Sequence, residues 1–529
     1  MTELSQKRTK RLVAIHGWSG TLLGLLLYVV LLTGAVAVFA LQIGSWSASG
    51  VKSHEPFAQP IDGTLRSLAA QVPAEYHDDI NVFSNSAGHI VAFLHTHTKD
   101  ADGEVADKGV LFELHPETHE ILAQREGFAE DVFGADHWGA LDDFLVALHV
   151  NLHLPDPWGL YATGLLGLLM LASAISGILI HRHLIKDLFV APRFSSLLLN
   201  ARDRHNLAGS WGLPFAIVLA FTGAFLSFAL SLGLPTVSTV AFGGDQAAMI
   251  ERLIGVREAA DPTPTPLANV DAMLAVSAEA AGSAPTGFSV HHWGRADATV
   301  TVFHQPAEGD LTIVQQVFEG ASGVHLGSKP ALGTEPSVGS ALFQLMIPLH
   351  FGTFVGMLSR TVWFALGLAM CYVTLTGLQL WLQRRSDDPL WRRLARAVPI
   401  FGYGLPIAIA GSGIGFFLSL PAGSTLFWTP VGFLIAAALA IAAGLAVRQD
   451  RTLSQLYRLT LGVSLIALPL LRMAMGGAGW EALAASDNTA IVIFDLVLLL
   501  AGAGFALSAF GRGLPGVKTE RLAGGVPAE

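Results

Sequence analysis

The sequence predicts a predominantly α-helical polytopic membrane protein of about eight spans, with two external α+β modules set into a duplicated span–module–span core. Three observations carry this. First, hydrophobic residues make up 52% and charged residues 14% of 529 positions, with mean hydropathy +0.52, too apolar for a soluble enzyme. Second, a hydrocarbon core of roughly 30 Å needs about 20 helical residues, and apolar stretches of that order lie at 15–41, 155–181, 208–232, 346–382, 397–420, 426–447, 458–475 and 489–510. Third, the chain ahead of its last four apolar stretches repeats within itself.

The elements follow in order. Residues 1–41 hold a basic N-terminus and the first span, whose apolar core is longer than a signal peptide's and has no small-x-small cleavage site, so it is expected to stay as an anchor. Residues 42–145 form a first external module, 146–182 the second span, 183–204 a loop and 205–232 the third span. Residues 233–340 form a second module, 341–383 the fourth span, 384–396 a loop and 397–529 a C-terminal region of four more spans. The basic clusters "QKRTKR", "HRHLIKD", "QRRSDDPLWRRLAR" and "GRGLPGVKTER" all fall on one side if each span crosses once. Lys and Arg in short loops mark the cytoplasmic face, so both termini are expected there. Each external segment opens on a helical piece, "TLRSLAAQVP" or "NVDAMLAVSAEAAG", and continues in alternating strands such as "NVFSNSAGHIVAFLHTHT" and "TGFSVHHWGRADATVTVFHQ".

A shift of 189 residues lays the third span on the first, "HGWSGTLLGLLLYVVLLTGAVAVFAL" against "HNLAGSWGLPFAIVLAFTGAFLSFAL", with nine of 26 positions identical. His16 falls on His205, Gly20 on Gly209, and Thr33-Gly34-Ala35 on Thr222-Gly223-Ala224. With one gap the second and fourth spans also match, pairing His149 with His350 and Gly177 with Gly377. The copies run the same way through the membrane, so their axis is expected along its normal.

Topology then sorts four histidines into two pairs. His16 and His205 start two outward spans, and His149 and His350 start two inward ones. Ionisable groups at a membrane edge are costly unless they serve a ligand, a partner or a pathway. Two neutral imidazoles from facing helices can fill both axial positions of a haem iron. The competing explanation is interfacial histidines bonded to headgroups or water. Thr33 lies 17 residues after His16, a rise of roughly 25 Å in a straight helix, so one haem cannot meet both pairs and two are expected, stacked across the membrane. Gly20 and Gly209 would let a flat macrocycle approach the backbone. His153, one turn after His149, and His181, with His183, at the far end of the second span are reserve ligands. His95-x-His97 puts two imidazoles on one strand face without a visible third metal ligand. Cys371 stands alone in the fourth span, which excludes a disulfide framework, a Cys-held iron–sulfur cluster and C-x-x-C-H haem attachment.

In order, "HGWSGTLLGLLLYVVLLTGAV", "LHVNLHL...GLLGLLMLASAISGILI", "RHNLAGSWGLPFAIVLAFTGAF" and "PLHFGTFVGMLSRTVWFALGLAMCYVTLTGLQLW" resemble the four spans of PepSY-associated transmembrane proteins. That family includes inner-membrane ferric-siderophore reductases of Gram-negative bacteria. "FELHPETHEIL" is similar to the strand-turn that ends a PepSY module, with His119 where the family usually has Gly. The likeness covers roughly residues 10–385. It implies two b-type haems ligated by His16, His149, His205 and His350, two PepSY-like periplasmic modules, and reduction of a periplasmic ferric siderophore. Trp138, Trp293 and Arg295 are candidate substrate contacts. Expected partners are the ferric chelate, membrane lipids and an external electron donor, a quinol or a cytoplasmic reductase, with no nucleic acid. Two other readings remain open: a haem-free siderophore or iron permease, and a membrane-tethered PepSY module that binds or inhibits a protease.

The last four spans contain no His, and glycines such as those of "GYGLPIAIAGSGIGFF" suit close helix packing. "GSGIG" lies inside an apolar span, so it is no nucleotide fingerprint. Asp495 and Arg472 approach the same face from adjacent spans and are expected to pair.

Overall fold

The computed structural model describes residues 5–48, 56–85, 87–101, 105–181, 188–189, 192–193, 197–254, 261–306, 311, 313–333, 335–385, 387–485 and 488–511. Seven helices are long and apolar enough to cross a membrane, or eight if the pair Gln6–Leu22 and Gly24–Ala37 counts as one bent span. The first copy of the core comprises α1 (Gln6–Leu22), α2 (Gly24–Ala37), α3 (Ala40–Ser47), α4 (Asp62–Gln71), α5 (Ala129–Gly134), α6 (Ala140–Val150) and α7 (Trp158–Ile180). The second comprises α8 (Leu197–Trp211), α9 (Leu213–Phe228), α10 (Leu234–Phe242), α11 (Gln246–Ile254), α12 (Val270–Ala281), α13 (Val338–Phe351) and α14 (Gly356–Gln383). A terminal bundle follows: α15 (Pro389–Ser419), α16 (Thr425–Ala446), α17 (Asp450–Ala474), the short α18 (Trp480–Ala485) and α19 (Thr489–Phe510).

Breaks divide what the hydropathy pattern reads as continuous spans. The first bends by 66° between α1 and α2. The third is interrupted at Gly212, and the fourth at Gly352, which takes φ +65 and leaves no room for a Cβ against Trp363. The second begins only at α7, with α6 a separate short helix before it. The bend lets one chain touch both copies: α1 packs on α7 while α2 packs on α14, and in the second copy α8 packs on α14 while α9 packs on α7. The two halves thus hold each other by exchange of contacts.

Between the spans stand eight strands: β1 (Asp79–Ser84), β2 (Ile90–Lys99), β3 (Val105–Leu114), β4 (Ile121–Phe128), β5 (Pro285–His291), β6 (Thr299–His304), β7 (Val314–Glu319) and β8 (His325–Pro330). The two modules expected from the sequence join as one antiparallel sheet in the order β4-β3-β2-β1-β5-β6-β7-β8, so the first strands of both copies meet at the centre. One face carries the core, where Leu65 and Leu68 of α4 and Val270 and Met273 of α12 cover Ile80, Leu94, Phe112, Phe288, Val300 and Phe318. The two helices cap one another. Asp271 accepts from the N–H groups of Ile61 and Asp62, and Asp62 accepts from the Val270 N–H at 3.0 Å and from Arg66. His119, at the β3–β4 turn, holds φ +56, the left-handed conformation glycine adopts freely, and its Nδ1 lies 2.9 Å from the Thr64 hydroxyl.

The terminal bundle packs through glycines. A Cβ on Gly411 would lie 2.7 Å from the Gly432 carbonyl, and one on Gly462 2.6 Å from that of Gly502. Pro406 removes the N–H that would serve the Gly402 carbonyl, and the Tyr28 hydroxyl of α2 donates to that oxygen at 2.8 Å instead. The expected pair forms: Arg472 Nη2 donates to Asp495 at 2.6 Å and Nε at 3.3 Å, both residues being fully buried. The indole N–H groups of Trp46 (2.7 Å) and Trp480 (2.9 Å) complete the carboxylate, and Arg472 also reaches the Ala478 carbonyl. Trp46 lies on α3, so this pair ties the bundle to the chain leaving the first span.

Removing one partner leaves a buried charge uncompensated, at about 3–5 kcal/mol. Arg472→Leu is therefore expected to lower the unfolding temperature in detergent sharply, and Arg472→Leu with Asp495→Leu to recover part of the loss; equal effects of single and double variants would refute the coupling. Burial alone would raise the Asp62 carboxyl, but Arg66 and the Val270 N–H hold it below the usual carboxylate range. A lowered folded pKa means its stabilisation is complete above the unfolded value of about 3.9 and is lost as pH falls through the folded one. Asp62→Asn should weaken the protein at neutral pH and flatten its acid-side loss of stability in thermal melts at stepped pH.

Candidate functional site

Each of the four paired histidines sits on a helical segment that precedes a break: His16 on α1, His205 on α8, His149 on α6 and His350 on α13. The breaks turn these segments toward the spans of the core, and the imidazoles meet in two pairs. His16 and His205 have ring centroids 6.3 Å apart at 73°, and His149 and His350 6.1 Å apart at 26°.

Every ring is held by the same atom. The Nδ1–H of His16 donates to the Ser173 carbonyl at 3.0 Å, that of His205 to Val373 at 3.0 Å and that of His149 to Val30 at 2.9 Å. A carbonyl only accepts, so Nδ1 carries the proton and Nε2 keeps its lone pair. His350 reaches the same state through Thr222, whose hydroxyl donates to Val218 and so accepts from Nδ1 at 2.9 Å. Ser176 and Thr376 add hydroxyl contacts to the His16 and His205 nitrogens at 3.2 and 3.3 Å. A second shell that fixes the tautomer and leaves one nitrogen presented is how proteins prepare imidazole for a metal.

Each ring also lies against a glycine. A Cβ on Gly34 would come within 2.6 Å of His149, on Gly223 within 3.0 Å of His350, on Gly377 within 3.0 Å of His205 and on Gly177 within 3.5 Å of His16. Gly34 and Gly223, and the paired Gly177 and Gly377, therefore seat imidazoles, and Thr222 anchors one of them, roles that are not evident in the sequence. Gly20 and Gly209 differ: a Cβ on Gly20 would meet nothing within 4 Å, and one on Gly209 only Val373 at 3.8 Å. Both line a cavity of about 1040 Å³ around His16 and His205, walled by Leu27, Leu31, Met170, Ala216, Met370 and Leu378, with Lys10, Arg202, Arg384 and Arg385 also on its lining.

The two pairs lie closer than a straight first span would put them. On α14, Gly367 packs against Ala35, beside the glycine that seats His149, whereas Val373 and Gly377 hold His205. The levels are six to ten residues apart, ~9–15 Å at about 1.5 Å per residue, because the 66° bend shortens the rise expected from His16 to Thr33.

Other predicted residues lie elsewhere. His153 stacks on Phe144 at 4.5 Å and spends its Nε2–H on the Phe144 carbonyl at 3.0 Å, so it does not join the pair. His181 caps α7 and lines the cavity; His183 lies outside the described residues. Trp138 packs beside His89 and the membrane helices, Trp293 packs on the sheet core below Arg66, and Arg295 is held by Asp297 at 2.8 and 2.9 Å.

A Cβ forced into the His149 ring should cost about 1–3 kcal/mol, more than the roughly 1 kcal/mol of helix propensity gained. Gly34→Ala is expected to lower the unfolding temperature in detergent, while Gly177→Ala leaves it unchanged or raises it; the reverse order would refute the seating.

The model of the PepSY-associated TM region matches residues 13–384, more than two thirds of the chain. An uncharacterized protein of Pseudomonas aeruginosa is 29% identical over 263 residues, 47% of this chain and 64% of the relative, so the match spans less than two thirds of that relative's length.

Proposed function

The chain belongs to the PepSY-associated transmembrane family, and from that premise we propose that it is a di-haem oxidoreductase that passes electrons through the membrane to a ferric chelate on its sheet side. The single observation that carries this reading is the pair of imidazole pairs, with every Nδ1 engaged and every Nε2 left as a donor. Two imidazoles bound opposite one another at about 2.0–2.1 Å from a metal put their ring centroids on the order of 6 Å apart, and the observed spacings are 6.3 and 6.1 Å. The donor set therefore fits two b-type haems, one held by His16 and His205 and one by His149 and His350. A haem held by either histidine pair would supply one-electron exchange.

The remaining residues support binding and orientation. Gly20 and Gly209 keep the backbone open to a flat ligand, and Leu27, Leu31 and Met370 exclude water from it. Lys10, Arg202, Arg384 and Arg385 supply cations for a ligand that carries carboxylates. His181 and His153 are assigned no ligand role. By the positive-inside rule the α1 and α8 side is cytoplasmic and the sheet lies on the opposite side; the resemblance to inner-membrane reductases makes that side the periplasm of a bacterial inner membrane. The electron donor is external, a quinol or a cytoplasmic reductase.

The ferric siderophore as substrate rests on the resemblance to PepSY-associated reductases, and coordination chemistry accounts for the release that reduction would bring. A siderophore holds Fe(III) by hard oxygen donors; one electron gives Fe(II), for which those donors have less affinity, and the iron leaves with the chelator intact.

Absorption spectra of the purified chain before and after dithionite test the reading. Low-spin b-type bands are expected, with His16→Ala or His205→Ala removing about half the haem and His149→Ala or His350→Ala the other half. Gly20→Leu should lower haem content without lowering the stability of the haem-free protein. A colourless, folded preparation from haem-replete cells would overturn the assignment in favour of the permease or tether.

A further inference from the structure

The face of the sheet opposite its apolar core carries a second group of imidazoles, independent of the membrane pairs and of the haem reading. Strand register places them. Asp79 of β1 lies directly opposite His95 of β2 and, on its other side, opposite His291 of β5. His97, two residues along β2, shares the face with His95 and lies opposite Asp107 of β3. Paired residues in an antiparallel sheet share a face, and Ile80, Leu94 and Val290, their alternating neighbours, point into the core on the other. The sequence shows two imidazoles on one strand; the fold supplies the carboxylate from another.

The three side chains converge. One ligand atom from each of Asp79, His95 and His97 lies within 4.8 Å of the others. Their remaining polar atoms are already engaged. His97 places Nδ1 2.6 Å from Asp107, His95 places Nδ1 3.4 Å from the Phe93 carbonyl, and the other Asp79 oxygen receives His291 Nδ1. The atoms that face one another are His97 Nε2, which pairs with Asp79 Oδ2 at 2.9 Å and would release its proton to take a metal ion, and His95 Nε2, whose approach to Asp107 is 3.9 Å, beyond hydrogen-bond range. His95 is 2% exposed, so its free nitrogen faces the cluster from inside, while the half-exposed His97 leaves a route from solvent. A purely ionic cluster is already satisfied by His97 and His291 on the carboxylates and leaves the Nε2 of His95, a ring stacked on Phe93 at 4.5 Å, unused.

We propose that Asp79, His95 and His97 form a binding site for a divalent first-row transition ion such as Zn²⁺ or Fe²⁺, with Asp107, His291 and the Phe93 carbonyl as orienting partners. Two imidazoles and one carboxylate with positions left for water suit that class and not Mg²⁺ or Ca²⁺, which take oxygen ligands. The outer partners fix tautomer and ring direction as second shells do. Because His291 comes from the second module, the site is complete only when β1 and β5 pair. The second module does not repeat it: β6 presents Thr299, Thr301 and Phe303 on the corresponding face.

The test uses the full chain, purified in detergent without a polyhistidine tag and stripped with chelator. Zn²⁺ is the probe, counted by elemental analysis after equilibrium dialysis, with zinc-edge X-ray absorption to identify ligands. One Zn²⁺ per chain, with imidazole ligation, is expected. His95→Gln and His97→Gln should each weaken binding at least tenfold, and Asp107→Asn or His291→Gln about 10–100-fold. Zn²⁺ should raise the unfolding temperature of the unmodified chain, a readout that needs no variant. Haem content should not change in these variants, nor zinc content in His16→Ala, so failure of either site is separable from the other. No stoichiometric uptake by the folded chain, or uptake unchanged when His95 and His97 are both replaced, would overturn the proposal.

Discussion

Anchoring of an imidazole's Nδ1–H by an acceptor on a neighbouring helix is the constraint on which the core depends. Within a membrane neither a histidine nor a broken helix can turn to water for its hydrogen bonds. The core answers both needs at once. Each break frees a segment to swing its histidine across, and a carbonyl or hydroxyl of the facing span receives that histidine's proton. The glycines at 34, 177, 223 and 377 then give the rings the space that a tight helix contact would deny them.

The duplication makes this arrangement mutual. α2 and α9 each pack on a span of the opposite copy, and the central strands of both modules share one sheet. Reciprocal capping by Asp62 and Asp271 repeats the same exchange outside the spans, so each copy contributes to the other's helix start. The seam between copies is thus supported in the spans, in the strands and in the covering helices.

Much of this could be read from residues, and the failures have physical causes. His16 and His205 stood out because a polar residue in register across a duplication is hard to explain by shared apolar composition. The breaks at Leu23, Gly212 and Gly352 did not, because hydropathy averages over a window and is blind to local backbone conformation. Ser176, Thr222 and Thr376 lie in the repeated spans, but a hydroxyl in a membrane helix commonly bonds its own preceding turn, as Thr222 also does to Val218 at 2.8 Å. Their contact with a distant ring is a tertiary fact. Arg472 and Asp495 were legible as opposite charges at one depth in oil, whereas the two indoles that finish the carboxylate come from α3 and α18, outside any local pattern. The third ligand beside His95 and His97 was hidden for a related reason, since strand partners depend on register and not on proximity along the chain.

The Tyr28 hydroxyl that serves the Gly402 carbonyl has a broader consequence. Its counterpart in the second copy, 189 residues on, is Ile217, which has no hydroxyl to offer. Among the described residues the terminal bundle packs on α2, α3 and α6 of the first copy and on α14 of the second, so the twin halves have different neighbours. A single phenol oxygen thus lets the bundle carry Pro406 in oil without a bare carbonyl, a service that the isoleucine side has no atom to provide.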